Sequence, residues 1–374
     1  MTNIYVLVGT NPIPCYISAA YLLGYYSECK LFLVCTADNP SIKQSGTYQT
    51  GRNILNQITV QFPDTCAKLL SINDVGSELS ISSVLAETYS PDELIHLNYT
   101  GGTKSMAALA YHVLSQEESF SSSYLDGRRH IMILDGDPAF SNEHDLRKDA
   151  KLKLDLQAIT TLHGFDKVQD SYTDAAYGDL MERLKALLHN KRIFQIYGKS
   201  SSKKKKTPEE MAKEEEDIRR NTEEIIEASK IRGMGISEKH INKFIDGVWL
   251  EHYLYDELNK ISNDIEIYHG IVKQNHFEID LMAIYGYQMT LISVTTDCKK
   301  GGCKLKAFEA IHRAHQLGGD EAKAVLVTLM ECPRTLEDDI RGTFGSTIPG
   351  FKAFGIDDFD KLTIFDDILK YAKE

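Results

Sequence analysis

Two short stretches carry residue types that could do chemistry. The first is Asn98-Tyr99-Thr100-Gly101-Gly102-Thr103-Lys104-Ser105, which follows the apolar run Leu94-Ile95-His96-Leu97 and precedes a helix-like stretch from Met106 to Leu114. A loop from a strand into a helix N-terminus offers an anion backbone N–H groups and the positive end of a helix dipole. Gly101 and Gly102 admit a phosphate close to the backbone, Thr100, Thr103 and Ser105 offer hydroxyls, and Lys104 offers a full charge. This is not a Walker A loop, because the glycines and the lysine do not fall at G-x-x-x-x-G-K-[ST]. On pattern alone, a tight turn with Thr103 as N-cap is an equally good account.

The second stretch is His276-Phe277-Glu278-Ile279-Asp280-Leu281, whose alternation in a strand puts Glu278 and Asp280 on one face and Phe277, Ile279 and Leu281 on the other. The next strand-like run ends in Thr295-Thr296-Asp297-Cys298-Lys299-Lys300. A hairpin through Tyr285-Gly286-Tyr287 would let Asp280 meet Asp297 with Lys299 beside them. Two or three carboxylates hold a hard divalent cation such as Mg²⁺ or Mn²⁺. Such a cation polarises a phosphodiester and makes a water more acidic, and Lys299 would orient that water or offset developing charge. Glu251, one helix earlier, is a further oxygen ligand, whereas Glu309 reads as a solvated helix residue. Taken alone, so short a pattern is better explained as an exposed strand face with alternating charges.

The elements around these residues follow from periodicity. Ile4 to Val8, Lys30 to Cys35, Leu94 to Asn98 and His130 to Asp135 read as buried strands, with helices at Ile17 to Tyr26 and Thr50 to Phe62 between them. Strands alternating with helices imply a largely parallel α/β sheet of Rossmann-like winding, whose ligands bind beyond the carboxyl ends of the strands. Two loops leave such ends: Gly9-Thr10-Asn11-Pro12 after the first strand, and Asn98 to Lys104. Lys151 to Thr160 reads as a peripheral strand and Tyr177 to Leu188 as a helix. Gly198 to Pro208 is a polar, Lys-rich linker, and Glu209 to Ile231 a strongly charged helical stretch. The rear half opens with an amphipathic helix around Gly247 to Leu254. It continues with strands at Ile265 to Ile271, Phe277 to Ile284 and Met289 to Thr295, a helix at Leu305 to Leu317, and a buried strand at Ala324 to Met330. The tail, Phe359 to Ala372, ends in an amphipathic helix. The expected division is 1–150, a connecting region 151–235, and 236–374.

Composition sets the outer bounds. A chain of 374 residues with net charge -12 is comfortable as two domains, and its acidity argues against a passive nucleic-acid coat while leaving room for a local basic cleft. No run approaches eighteen apolar residues and no basic segment precedes an apolar one at the N-terminus, so neither a membrane span nor a signal peptide is expected. Seven cysteines without a C-x-x-C pair read as reduced thiols of a cytoplasmic protein.

The run N-Y-T-G-G-T-K-S-M-A resembles the signature of CARF domains, the cyclic-oligoadenylate sensors of type III CRISPR systems. The loop Gly9-Thr10-Asn11-Pro12 matches the family's other ligand loop. In the rear half, Glu251 on a helix, Asp280, then Asp297-Cys298-Lys299 before a helix and a buried strand is similar to the PD-(D/E)xK nuclease fold. That family more often has Glu where Asp297 stands, and Ile279 replaces the proline before Asp280.

Together the two resemblances imply a single-CARF effector nuclease. Its sensor would bind the ring through Gly9, Thr10, Asn11, Pro12, Asn98, Thr100, Gly101, Gly102, Thr103 and Lys104. The metal would be held by Glu251, Asp280 and Asp297, with Asp280, Asp297, Lys299 and Glu278 as the catalytic set. They also imply a homodimer around a two-fold ring, cyclic tetra-adenylate before cyclic hexa-adenylate. The implied activity is Mg²⁺- or Mn²⁺-dependent cleavage of single-stranded DNA, RNA or both, with nicking of supercoiled DNA. The competing expectation is a ring-binding regulator or ring nuclease whose nuclease-like domain is inactive.

Overall fold

The structure, a computed structural model, describes residues 1–38, 45–90, 92–134, 145–165, 168–170, 236–273, 277–344, 350–359 and 363–374, with short helical pieces between 181 and 227. The Lys-rich tract at 198–208 and most of 177–188 and 209–231 lie outside the described residues. The chain divides into two compact units, Met1–Lys167 with Gly286–Gln288 and Gln316–Glu321, and Val168–Tyr285 with Met289–His315 and Ala322–Glu374.

In the first unit, strand β1 (Thr2–Leu7) is buried along its whole length, as a central strand covered on both faces must be. Helix α1 (Pro12–Tyr25) starts where the Asn11 side chain accepts from Ile13 N, with Pro12 at its first position. Then come β2 (Cys29–Thr36), α2 (Tyr48–Gln61), β3 (Cys66–Ile72), α3 (Glu78–Ala86), β4 (Leu94–Asn98), α4 (Lys104–Leu114), β5 (Phe120–Asp126) and β6 (Ile131–Leu134). Among the described residues these strands form one six-stranded sheet in the order β3-β2-β1-β4-β5-β6. It is parallel except for β6, which runs against β5. That order is Rossmann winding, and it reverses between β1 and β4.

One expectation fails here. Lys151 to Thr160 is not a strand; a 3₁₀ turn at Ala150–Leu152 leads into helix α5 (Leu156–His163). Asp155 accepts from Ala158 N, Gly164 closes the helix at φ 64°, and Ala158, Ile159 and Leu162 are buried on one face. The Lys-Leu-Lys-Leu alternation that suggested a strand covers only the approach to this helix.

The second unit begins among the described residues with strand β7 (Val168–Asp170). Helix α6 (Glu238–Lys243) and a π-helical turn at Phe244–Val248 lead into α7 (Trp249–Ile261). The order continues β8 (Glu266–Lys273), β9 (Phe277–Tyr285), β10 (Gln288–Thr295), α8 (Lys300–Gly318), β11 (Lys323–Thr328), α9 (Arg334–Phe344), β12 (Phe351–Phe354), α10 (Ile356–Phe359) and α11 (Ile364–Lys373). The second sheet runs β12-β11-β10-β9-β8-β7. Strands β10, β11 and β12 are parallel to their neighbours in that trio, while β7, β8 and β9 pair antiparallel. Trp249, Leu250, Leu254 and Leu258 of α7 pack with Leu281, Ile292, Val325 and Ile368 in its core. The tail ends in the expected amphipathic helix, α11, with the short α10 before it.

Candidate functional site

The first candidate site lies at the carboxyl ends of β1 and β4, adjacent parallel strands at the switch point. The two loops that leave them interlock. A Cβ on Gly101 would meet Leu7 O at 2.4 Å, Cys15 Sγ at 2.5 Å and Gly9 N at 2.7 Å, so only glycine fits. Gly102 stands at φ +80°, in the left-handed region that favours glycine.

Several of the expected ligand side chains build this shape instead of facing outward. Asn98 is fully buried; its Nδ2 donates to Ser123 Oγ at 2.9 Å and its Oδ1 accepts from Thr100 N at 3.2 Å. Thr100 Oγ1 accepts from Leu125 N at 2.8 Å. Thr103 caps α4 by accepting from Met106 N, and Asn11 and Pro12 open α1. Asn11 Nδ2 also donates to Leu317 O at 3.3 Å. Thr10, Thr103 and Lys104 are exposed. The site therefore joins two helix N-termini, a glycine-built surface and one exposed lysine, a geometry suited to phosphate.

Cys15 was not singled out by sequence. It donates to Leu7 O at 3.4 Å and accepts from Gly9 N at 3.4 Å, and burial pushes its thiol up to about 11, so it is a structural clasp with little nucleophilic character.

The second candidate site lies in the second unit. The two-residue turn at Gly286 and Tyr287 joins β9 to β10 as expected, with Gly286 at φ 63°. It sets Asp280 opposite Ser293: Asp280 Oδ2 accepts from Ser293 Oγ at 3.1 Å and from Val294 N at 2.7 Å. Burial still raises the Asp280 carboxyl above its ordinary range. Glu251 on α7 joins it. Burial first, then the charges of Asp280 and Glu278, push Glu251 up to about 8, while Lys243 and Lys306 pull the other way. Behind Glu251, the buried His269 has its Nε2 3.8 Å from Glu251 Oε2. Burial lowers His269 to about 3 and its neighbour His252 to about 4, so both rings are neutral at pH 7.

A cavity of about 300 Å³, counting its open side, is walled by Glu278, Asp280 and Ser293 from the sheet and by Lys306, Glu309 and Arg313 from α8. Positions 306, 309 and 313 share one helix face. Glu309 pairs with Lys306 Nζ at 3.6 Å and with Arg313, whose guanidinium also donates to Glu278 O. Glu309 is the exposed helix residue that the sequence suggested, and it also lines the open side of the cavity.

Among the described residues, Asp280 and Asp297 share neither a hydrogen-bond partner nor a wall of this cavity. The hairpin register puts Ser293 opposite Asp280, and Asp297 follows four residues later, past the end of β10 at Thr295. Asp297 turns onto the entry of α8, where its Oδ1 accepts from Lys299 N at 2.7 Å and its backbone O accepts from Cys303 Sγ and Thr328 Oγ1. Lys299 is exposed there, and neither residue lines the cavity. Strand β10, where a partner for Asp280 would stand, carries no charged residue. Among the described residues, no three His, Cys, Asp or Glu side chains are grouped to hold a metal. The donor set that remains is Glu251 and Asp280, with Glu278 at the mouth. Two or three carboxylates fit a small hard cation that keeps several waters and takes phosphate oxygens. They are a costly arrangement to bury without one.

No family model and no curated protein matches this chain. Solved structures do. Can2 from Sulfobacillus thermosulfidooxidans, in complex with cyclic tetra-adenylate, superposes with a TM-score of 0.64 at 14% identity, over 100% of this chain and 99% of that one. This chain has the Can2 fold. Protein VC1899 from Vibrio cholerae gives 0.61 at 12% identity, over 99% and 98%. A type III CRISPR defence DNA nuclease activated by cyclic oligoadenylate gives 0.51 at 16% identity, over 88% of this chain and 45% of that one. The expected α/β fold is therefore the observed one: a Rossmann-wound, largely parallel sheet is followed by a second α/β unit, and the whole chain follows the Can2 fold. Among the described residues, no helix is long and apolar enough to cross a membrane.

Proposed function

We propose that this chain is a divalent-metal-dependent endonuclease switched on by a cyclic oligoadenylate. The observation that carries the reading is the pairing of two sites in one fold: a phosphate-ready switch point in one unit and, in the other, a cavity walled by Asp280, whose charge acts on Glu251 of the neighbouring helix. The similar Can2 structure holds cyclic tetra-adenylate, and a second similar structure is of a ring-activated DNA nuclease. Cyclic tetra-adenylate is the first ring to test, then cyclic hexa-adenylate; both match the two-fold of a homodimer. Single-stranded DNA and RNA and supercoiled DNA are the substrates, and 1–150 and 236–374 are the sensor and nuclease domains.

Each residue has a task. Gly101 and Gly102 hold the ring phosphates against backbone N–H groups, and Lys104 offsets their charge. Glu251 and Asp280 hold the cation, Mg²⁺ or Mn²⁺, with Glu278 beside them. That cation, when bound, polarises the scissile phosphate and makes a water more acidic. Ser293 and Val294 N keep Asp280 pointed into the cavity. Turning the switch from 1:99 to 99:1 requires about 5.5 kcal/mol of differential ring affinity.

A second reading, a ring-binding regulator or ring nuclease with an inert nuclease-like domain, is favoured by the uncharged β10. Incubation of the purified chain with supercoiled plasmid and with labelled single strands separates the two. Cleavage that needs both a ring and Mg²⁺ or Mn²⁺ supports the nuclease. Intact nucleic acid under every condition, with the ring bound or cut, supports the regulator.

A further inference from the structure

We infer that Lys306, presented by helix α8, is the catalytic cation of the nuclease site, a role that neither Lys299 nor any residue of β10 fills. The inference rests on the nuclease reading above and names who does the work within it.

Strand β10 runs Gln-Met-Thr-Leu-Ile-Ser-Val-Thr, so the sheet offers no positive group opposite Asp280. The positive groups on the cavity wall come from α8. Of these, Arg313 is engaged by Glu309 and by Glu278 O, which fixes it as part of the wall. Lys306 is different. Its side chain is 47% exposed, lines the same cavity as Asp280, and is steadied by Glu309 at 3.6 Å. Its charge acts on both half-buried carboxylates, Glu251 and Asp280. Lys243 acts on Glu251 but is not a cavity residue, and Lys299 sits at the entry of α8 beside Asp297. An ammonium on a flexible stem, placed across from the carboxylates, can follow a phosphate as its charge grows.

The step is hydrolysis. The water oxygen bonds to phosphorus and the P–O bond to the leaving ribose oxygen breaks. One water proton reaches that leaving oxygen through solvent, and the other stays with the new phosphate monoester. Lys306 donates to a non-bridging phosphoryl oxygen, whose negative charge peaks in the transition state. Glu309 is a positioning residue that holds the ammonium over the cavity.

The test uses the full chain, saturated with cyclic tetra-adenylate, in Mn²⁺ or Mg²⁺. Lys306→Met is expected to lower the cleavage rate about 100-fold or more, the usual cost of losing one transition-state donor. Lys306→Arg should restore part of that loss. Lys299→Met should lose less than a tenth as much. Single-strand affinity measured by fluorescence anisotropy in EDTA, and the melting temperature, should change little in Lys306→Met. A wild-type rate in Lys306→Met, an equal loss in Lys299→Met, or a rate loss matched by an equal loss of affinity each overturns the inference and leaves the nuclease reading standing. If Lys306→Met melts early, Lys306→Gln against Lys306→Arg makes the same comparison. Failure of the wild-type chain to cleave anything is a separate result, and it strikes the nuclease reading itself.

Discussion

The switch point between β1 and β4 and the cavity between β9, β10 and α8 collect polar groups by opposite means. At the switch point, the polar side chains are spent on backbone N–H groups: Asn98 accepts from Thr100 N, Thr103 from Met106 N at the start of α4, and Thr100 from Leu125 N of strand β5. What they leave facing outward is backbone shape, and the glycines are there because the two loops touch. At the cavity the backbone is ordinary strand and helix, and the side chains face out. Charge does the work there, drawn from three elements far apart in sequence. A recognition surface made of backbone is sensitive to added bulk. A catalytic surface made of charges is sensitive to single-atom changes that leave the shape alone.

The sharpest way to break that contrast is Asp280→Asn. It keeps the shape and its contacts with Ser293 and Val294 but removes a carboxylate. Cleavage of supercoiled plasmid should fall about 1,000-fold, in the range of a lost metal ligand or electrostatic group, while ring binding by calorimetry stays within error of wild type. Retained cleavage would remove the cavity from consideration. Gly101→Ala is the mirror experiment. It adds one carbon and no charge, yet the new Cβ lies 2.4 Å from Leu7 O, so backbone must move. Ring affinity should fall at least tenfold and stability by about 1–3 kcal/mol. A variant that binds the ring normally would show that the interlocked loops are not the seat of recognition.

The same contrast explains what was legible in the sequence. Buried parallel strands announce themselves as apolar runs, and β1, β2, β4 and β11 fell where those runs are. Strand β3 did not, because it is an edge strand whose residues are half-buried. Strand β5 did not either. Its Ser122 and Ser123 are buried polar residues, and Ser123 Oγ is 2.8 Å from His96 Nε2 and accepts from Asn98 Nδ2. A strand that buries serines looks like a loop until its partners are known. The loop site was readable because one contiguous segment builds most of it. In the cavity, Glu278 and Asp280 were readable from strand alternation. Lys306 and Glu309 were not, since no local pattern marks which face of α8 looks onto the sheet. Asp297 and Lys299 drew attention by spacing, but the two-residue hairpin turn fixed the register that set them aside.

Acidity probes the charge-built site alone. The folded Glu251 carboxyl titrates near 8 against an ordinary 4.5, so the folded chain holds a proton there that the unfolded chain has released. Stability from this group is complete below 4.5 and is lost as pH rises through 8. The neutral His269 and His252 act in the opposite sense over this window, destabilising the fold as pH falls below 6.5, so the Glu251 contribution is read as a difference between variants. The melting temperature of metal-free wild type relative to Glu251→Gln should drop by about 4 °C or more from pH 5 to pH 8, and saturating Mg²⁺ should recover more at pH 8 than at pH 5 in the wild type alone. A pH-independent gain from Mg²⁺ would mean that the cation does not displace a proton from Glu251.

The smallest expected effect comes from the one place where the backbone-built site uses a side-chain charge. Lys104 is exposed at the first position of α4, and solvent screens what it contributes. Lys104→Ala should weaken ring binding about tenfold or less at low salt, and that deficit should shrink as salt rises, because a charge and its screening vanish together. Gly101→Ala should show the reverse: a deficit nearly independent of salt, since a steric clash is not screened. If the Lys104→Ala deficit exceeds that of Gly101→Ala, ring recognition is electrostatic after all, and the glycines serve the fold of the loop more than the ligand.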